Sequence, residues 1–255
     1  MLYESHLVGF FNYYWGYEDK KNKKAFNALI LSNAQNSFDA LFGDVIAATG
    51  ERYFLIEFKK ERNAFAKEIR GSKPKPARQE FYKLMKEHSS STCAQASQFA
   101  HFGAYADDKN KILFESYFSA VATQKTKETL IKEVFSSDYV HHSIDYANKP
   151  CDIDGFYEYM NCPSREIVGF SKNLYGDGMG VPKDTFVQYL QCMLNTITAQ
   201  QPLNGGTLIL GRTSPTSGAN LVFTSFNSLK KLLEVNMKNS TAVATKPKQD
   251  SCGRT

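Results

Sequence analysis

The chain has 255 residues, 42% of them hydrophobic and 22% charged, with a formal net charge of +5. That balance describes a soluble globular protein with one substantial core and room for a second lobe. No apolar run approaches the length of a membrane span, and Glu4 stands where a signal peptide would carry positive charge, so a cytoplasmic protein without membrane contact is expected.

The first predicted element is a helix from about Glu4, because Leu7, Val8, Phe11 and Tyr14 fall on one helical face. The aromatic run from Phe10 to Trp15 reads as helix core rather than as an interfacial anchor. Next come two apolar, strand-like runs, 43–46 and 53–59, joined by Thr49-Gly50-Glu51-Arg52. Gly50 at the first central position suits a type II′ hairpin turn, which pairs Thr49 with Arg52 and, by counting back, sets Asp44 opposite Glu57. Side chains alternate faces along a strand, so Glu57 and Lys59 share one face while Ile56 and Phe58 take the other. Asp44, Glu57 and Lys59 can then converge. Two close carboxylates repel unless a cation or proton lies between them, and hard oxygen ligands suit Mg²⁺ or Mn²⁺. A neighbouring lysine can hold a water or face the charge of a phosphoryl transition state. The plainer reading is a surface ion pair on an amphipathic hairpin.

Gly43-Asp44 followed by Ile56-Glu57-Phe58-Lys59 resembles the motif of the PD-(D/E)xK nuclease superfamily, an aspartate on one strand and acid-x-lysine on its hairpin partner. The resemblance implies an α/β fold whose restriction-endonuclease-like core is a mixed sheet flanked by helices. It also implies Mg²⁺-dependent phosphodiester hydrolysis, with Asp44 and Glu57 as metal ligands and Lys59 as the water-activating lysine. Gly43 stands where the family often has proline. Members often add an acid from the preceding helix, which points to Glu4 first and Glu18 second; a first-turn acid favoured by the helix dipole explains Glu4 equally well. Some place a glutamine or basic residue from the following helix near the metal. Gln79, then Arg78, are the matches, an ordinary solvated helix face being the alternative. The motif covers residues 43–59, and the order helix, hairpin, helix extends the likeness over about residues 1–90.

From Lys59 to Lys86 ten basic residues face three acids, an excess of +7. Beside a phosphodiester site such a stretch would attract a nucleic-acid backbone, which assigns Lys60, Arg62, Lys73, Lys75 and Arg78 to nucleic-acid binding; a solvated lysine-rich face is the alternative. Pro76 to Met85 starts like a helix, with proline in its first turn. Strands are predicted at His101–Ala106 and at 112–118, extending the hairpin's sheet, and a helix at 125–135. His141, His142, Cys151 and Cys162 match no compact zinc pattern. The five cysteines are scattered and odd in number, which predicts reduced thiols rather than a disulfide framework. Residues 175–180 read as a flexible loop before a helix at 183–198. Strand 207–210 is expected to exit into the loop Gly211-Arg212-Thr213-Ser214, where Arg212 could touch a phosphate, with a further strand at 221–223.

Residues 1 to about 135 thus read as a nuclease-like core, 136–235 as an elaboration or substrate-facing lobe packed on it, and 236–255 as a disordered tail. The expected activity is that of a divalent-metal-dependent nuclease, on DNA rather than RNA because the resembled family mostly cleaves DNA, with a role in defence against foreign DNA as one setting. The chain could act as a homodimer or with a protein partner. The alternative is a non-catalytic binding or inhibitory protein that keeps a nuclease-like fold.

Overall fold

The computed structural model describes residues 3–22, 30–32, 43–49, 52–72, 75–87, 92–122, 150–161, 180–198, 207–214 and 218–225. The turn residues Gly50 and Glu51, Lys73, the histidines His141 and His142, the glycine-rich loop up to Met179, and the helix predicted at 125–135 lie outside them, as does the tail. The helices are α1 (Glu4–Lys21), α2 (Arg62–Arg70), α3 (Pro76–Glu87), α4 (Thr92–Ala100), α5 (Tyr117–Val121), α6 (Ile153–Asn161) and α7 (Lys183–Thr198). The strands are β1 (Ile30–Ser32), β2 (Val45–Thr49), β3 (Arg52–Lys59), β4 (His101–Ala106), β5 (Ile112–Ser116), β6 (Cys151–Asp152), β7 (Val181–Pro182), β8 (Thr207–Ser214) and β9 (Gly218–Ser225).

All nine described strands join one mixed sheet in the order β6-β5-β4-β3-β2-β1-β8-β9, with β7 antiparallel to the start of β3. β3 and β4 pair in parallel; the other described pairs are antiparallel. A parallel pair needs a crossover, which here runs through α2, α3 and α4. β2 and β3 have the expected register, with Thr49 paired to Arg52 and Val45 to Ile56. Strands β4 and β5 extend the hairpin's sheet as expected, although β5 ends at Ser116, whose hydroxyl caps α5 by accepting the Ser119 N–H. One correction concerns Arg212: β8 continues through residues 211–214, where a loop was expected.

The two faces of β3 differ in chemistry. Phe54, Ile56 and Phe58 join Val45, Ala47, Phe102, Ala104 and Phe114 in a core covered by α1 and α6. Phe11 and Trp15 of α1 are buried there, and Phe156 of α6 stacks on Phe114 with centroids 4.2 Å apart. The aromatic run of α1 is therefore split: Phe11 and Trp15 are core, while Phe10 and Tyr13 are exposed. Tyr157 of α6 donates to the buried Asp19 carboxylate (2.7 Å), and Tyr14 bonds Asp154, so polar contacts fix α1 against α6.

The opposite face carries Glu57 and Lys59. Here Phe65 and Ile69 of α2 pack with Tyr105, Tyr117, Ala120 and Val121. α7 packs on α3 and α4, with Phe186 stacked on Tyr53 and Tyr189 set against Phe81. Cys93 of α4 and Cys192 of α7 form a disulfide, their Cα atoms 6.5 Å apart, which corrects the expectation of reduced thiols throughout. No described helix is long and apolar enough to cross a membrane.

Gly103 of β4 is paired with both Glu57 and Glu115, and its missing side chain makes room for Phe65. A Cβ there would lie 2.9 Å from Phe65 Cζ and 3.2 Å from Ala120 Cβ, and Phe65 is fully buried. Gly103→Ala should therefore destabilise the fold by about 1–3 kcal/mol, the usual effect of overpacking. Urea unfolding would check this; a midpoint equal to wild type would mean that Phe65 can yield without cost.

Candidate active site

Asp44 lies just beyond the last described pair of the β2–β3 ladder, so the residue counting that set it opposite Glu57 is refined rather than reproduced. Its N–H donates to the Ile56 carbonyl (2.9 Å), and its carboxylate Oδ2 accepts the Phe58 N–H (2.6 Å). Those two contacts bracket Glu57. The local cause is Gly43, which has a φ of +78°. A Cβ at this position would lie 2.9 Å from the Ile56 carbonyl oxygen and 3.1 Å from Glu57 Oε2. Proline, locked near a φ of −65°, cannot adopt this backbone, which explains why glycine stands here.

The electrostatics of Asp44 express its neighbours. Burial, then the Glu57 carboxylate, push its carboxyl up to about 7, against the pull of Lys59 and the Phe58 N–H; Glu4 adds a weaker push in the same direction. Glu4, at the exposed start of α1, thus acts on the site as a distant charge. Glu57 is buried between two cations. Lys59 bonds its Oε1, and Arg78 Nη2 donates to its Oε2 at 3.0 Å. Lys59 also lies 3.3 Å from Glu68 Oε1. Burial opposes the Lys59 charge, but Glu57 and Glu68 outweigh it and hold the ammonium above its ordinary value. Lys59 is accordingly a fixed cation in this arrangement, suited to orienting a water or stabilising negative charge.

Behind this pair runs a buried polar chain. Burial disfavours the charge on Glu68, yet Arg78, Lys59 and Lys75 together hold its carboxyl down at about 2. It accepts from Lys75 Nζ (2.5 Å) and from the Tyr117 hydroxyl (2.9 Å). The Arg78 guanidinium lies 5.0 Å from the centre of the Tyr117 ring, and His101 stacks on the same ring at 4.3 Å. His101 Nδ1 contacts the Tyr189 hydroxyl at 2.9 Å. Burial, reinforced by Arg78, drives the His101 pKa well below its ordinary value, so its imidazole is neutral.

The structure redistributes the expected nucleic-acid residues. Arg78 is a correction as a nucleic-acid-binding residue: its side chain is 1% exposed and faces Glu57, so of the two helix residues considered for a place beside the acids it is Arg78, the second choice, that stands there. Gln79, the other helix candidate, points away and donates to the Ile69 carbonyl (3.2 Å). Arg62 pairs with the fully buried Glu115 (2.5 Å), and Lys75 with Glu68. Lys60 is exposed. Glu68, Tyr117 and His101 were not singled out in the sequence. Glu68 was detectable: it follows Phe65 by three residues and precedes Ile69, which places an acid on the apolar face of an amphipathic helix.

Among the described residues no group of three or more His, Cys, Asp or Glu side chains gathers as a metal cluster. Two carboxylates remain a fitting set for Mg²⁺, which is held by one or two carboxylates and keeps several waters. Burial is the larger cause of the raised Asp44 carboxyl and the neighbouring Glu57 carboxylate the second; a cation held by both acids would relieve the second. Comparison with protein-family models, with curated proteins and with solved structures gives no match for this chain.

Proposed function

We propose that the chain is a divalent-metal-dependent nuclease with a restriction-endonuclease-like core, acting on DNA in preference to RNA. The observation that carries this reading is the bracketing of Glu57 by the contacts of Asp44, with Lys59 on the same face of β3. Asp44 and Glu57 would hold Mg²⁺ or Mn²⁺, which when bound supplies polarisation of the scissile phosphate. Lys59 orients the attacking water and faces the developing charge. Arg78 and Glu68 fix the rotamers of Glu57 and Lys59 from behind. Defence against foreign DNA is a compatible extension of this reading, whereas the Cys93–Cys192 disulfide weighs against the reducing cytoplasm first expected.

A second reading, a non-catalytic nucleic-acid- or protein-binding protein with a nuclease-like fold, draws support from Glu57 being already paired to two cations. Linear, circular and single-stranded DNA and RNA incubated with Mg²⁺, Mn²⁺ or EDTA separate the two. Wild type should cleave only with metal, and Lys59→Ala should lose at least about a hundredfold in rate, the scale of a removed charge-stabilising donor. Absence of both cleavage and divalent-metal binding in the wild type would decide for the second reading.

A further inference from the structure

All four large hydrophobic side chains that are exposed among the described residues belong to α1 and its N-cap: Tyr3 is 57% exposed, Phe10 49%, Tyr13 71% and Tyr17 53%. Their spacing of three, four or seven residues places them on one helical face, directed away from the Leu7, Phe11 and Trp15 face that enters the core. His6 shares the outward face and meets Tyr3 edge-on, with centroids 5.4 Å apart. Tyr13 and Tyr17 lie nearly parallel, their planes 21° apart. Lys20 and Lys21 close the stripe at its far end. The acids of α1 fall elsewhere: Asp19 is buried, Glu18 is 12% exposed and pairs with Lys21, and Glu4, three residues before Leu7 and seven before Phe11, lies on the other side of the helix.

We propose that this face is a stacking platform for single-stranded nucleic acid; that such a strand would also be the substrate rests on the nuclease reading. The chemistry selects the occupant. The face presents flat aromatic rings and no Leu, Ile or Val, which a helix-to-helix seam would use. Rings stack on any base without reading sequence, and a free single strand, unlike a duplex, offers its base faces. The stripe itself carries no carboxylate to repel phosphates and ends in Lys20 and in Lys21, whose charge is shared with Glu18. From Tyr3 to Tyr17 it spans about 21 Å, the length of roughly six stacked nucleotides at about 3.4 Å each.

The test is binding of a fluorescent oligothymidylate, an oligouridylate and a duplex of equal length, by anisotropy in EDTA so that cleavage plays no part. Wild type should bind the single strands several-fold more tightly than the duplex. Tyr13→Ala and Tyr17→Ala should each weaken single-strand binding by about tenfold, with Tyr13→Phe close to wild type. Both positions are exposed, so circular dichroism should stay unchanged. Single-strand binding indifferent to both alanine variants would overturn the platform, even if the enzyme cleaves. So would alanine variants that instead lose a dimeric elution volume or lose binding to anionic vesicles, since a second copy or a membrane would then cover the rings. Ring-dependent binding without cleavage under any metal would sink the nuclease reading and leave the platform standing.

Discussion

Arg78→Met should destabilise the fold by about 3–5 kcal/mol, the cost of breaking a buried ion pair from one side. Arg78 Nη2 donates to Glu57 at 3.0 Å, with both side chains almost wholly inaccessible, and the guanidinium covers the Tyr117 ring. Methionine would fill much of the volume but leave Glu57 with the Lys59 ammonium to meet its charge without the guanidinium. It would also remove the strongest of the attractions that keep Glu68 ionised. Two buried acids thus lose compensation together, which is why the upper half of the range is expected. Urea unfolding at neutral pH measures the loss. The double variant Arg78→Met/Glu57→Gln should recover a substantial part of it, because the orphaned charge is then gone. A single variant within about 1 kcal/mol of wild type, the level of an exposed pair, would show that the ion pair is solvated in practice.

Why Arg78 was counted among the backbone-binding residues, and ranked behind Gln79 beside the acids, shows where the sequence stopped being legible. The hairpin was readable because strand alternation and turn chemistry are local: Thr49 does pair with Arg52, and Glu57 does share a face with Lys59. α3, α7, β4 and β8 were likewise announced by proline, amphipathic periodicity or apolar runs. Charge counting over residues 59–86 failed for a different reason. It treats every lysine and arginine as solvated, whereas Arg78, Phe81 and Met85 fall on one buried helical stripe. A cation in phase with apolar residues needs an acid across the interface, and that acid, Glu57, comes from another element. Glu115 and Arg62, fifty-three residues apart, make the same point. The Cys93–Cys192 pairing, ninety-nine residues apart, was equally out of reach, since scattered cysteines reveal partners only when the topology is known. The short helix α6 was missed because its burial depends on the sheet it covers: Phe156 and Met160 find their partners on α1, β3 and β5.

Asp44→Asn should make the protein more stable at pH 8 while abolishing metal-dependent cleavage. Burial and the Glu57 carboxylate raise the Asp44 carboxyl from an ordinary 3.8 to about 7. Between those values the folded state holds a proton that the unfolded chain has released. The stabilisation from that proton is complete below the unfolded value and is lost as pH rises through about 7. Above neutrality the wild type carries a partly buried carboxylate beside the buried Glu57. Asparagine removes the charge and still offers an oxygen to the Phe58 N–H, so the backbone contact survives. In EDTA the two proteins should have similar stability near pH 4. At pH 8 the variant should be the more stable by roughly 2–4 kcal/mol, each pKa unit corresponding to about 1.4 kcal/mol. Mg²⁺ should then stabilise wild type at pH 8 more than at pH 5, where protons compete for the ligand, and should leave Asp44→Asn unmoved. Parallel pH profiles for the two proteins, or an equal response of both to Mg²⁺, would show that Asp44 is not the charge a bound cation offsets. The expected trade of activity for stability follows from setting the Asp44 carboxylate in a desolvated place beside Glu57, whose own charge Lys59 and Arg78 already meet.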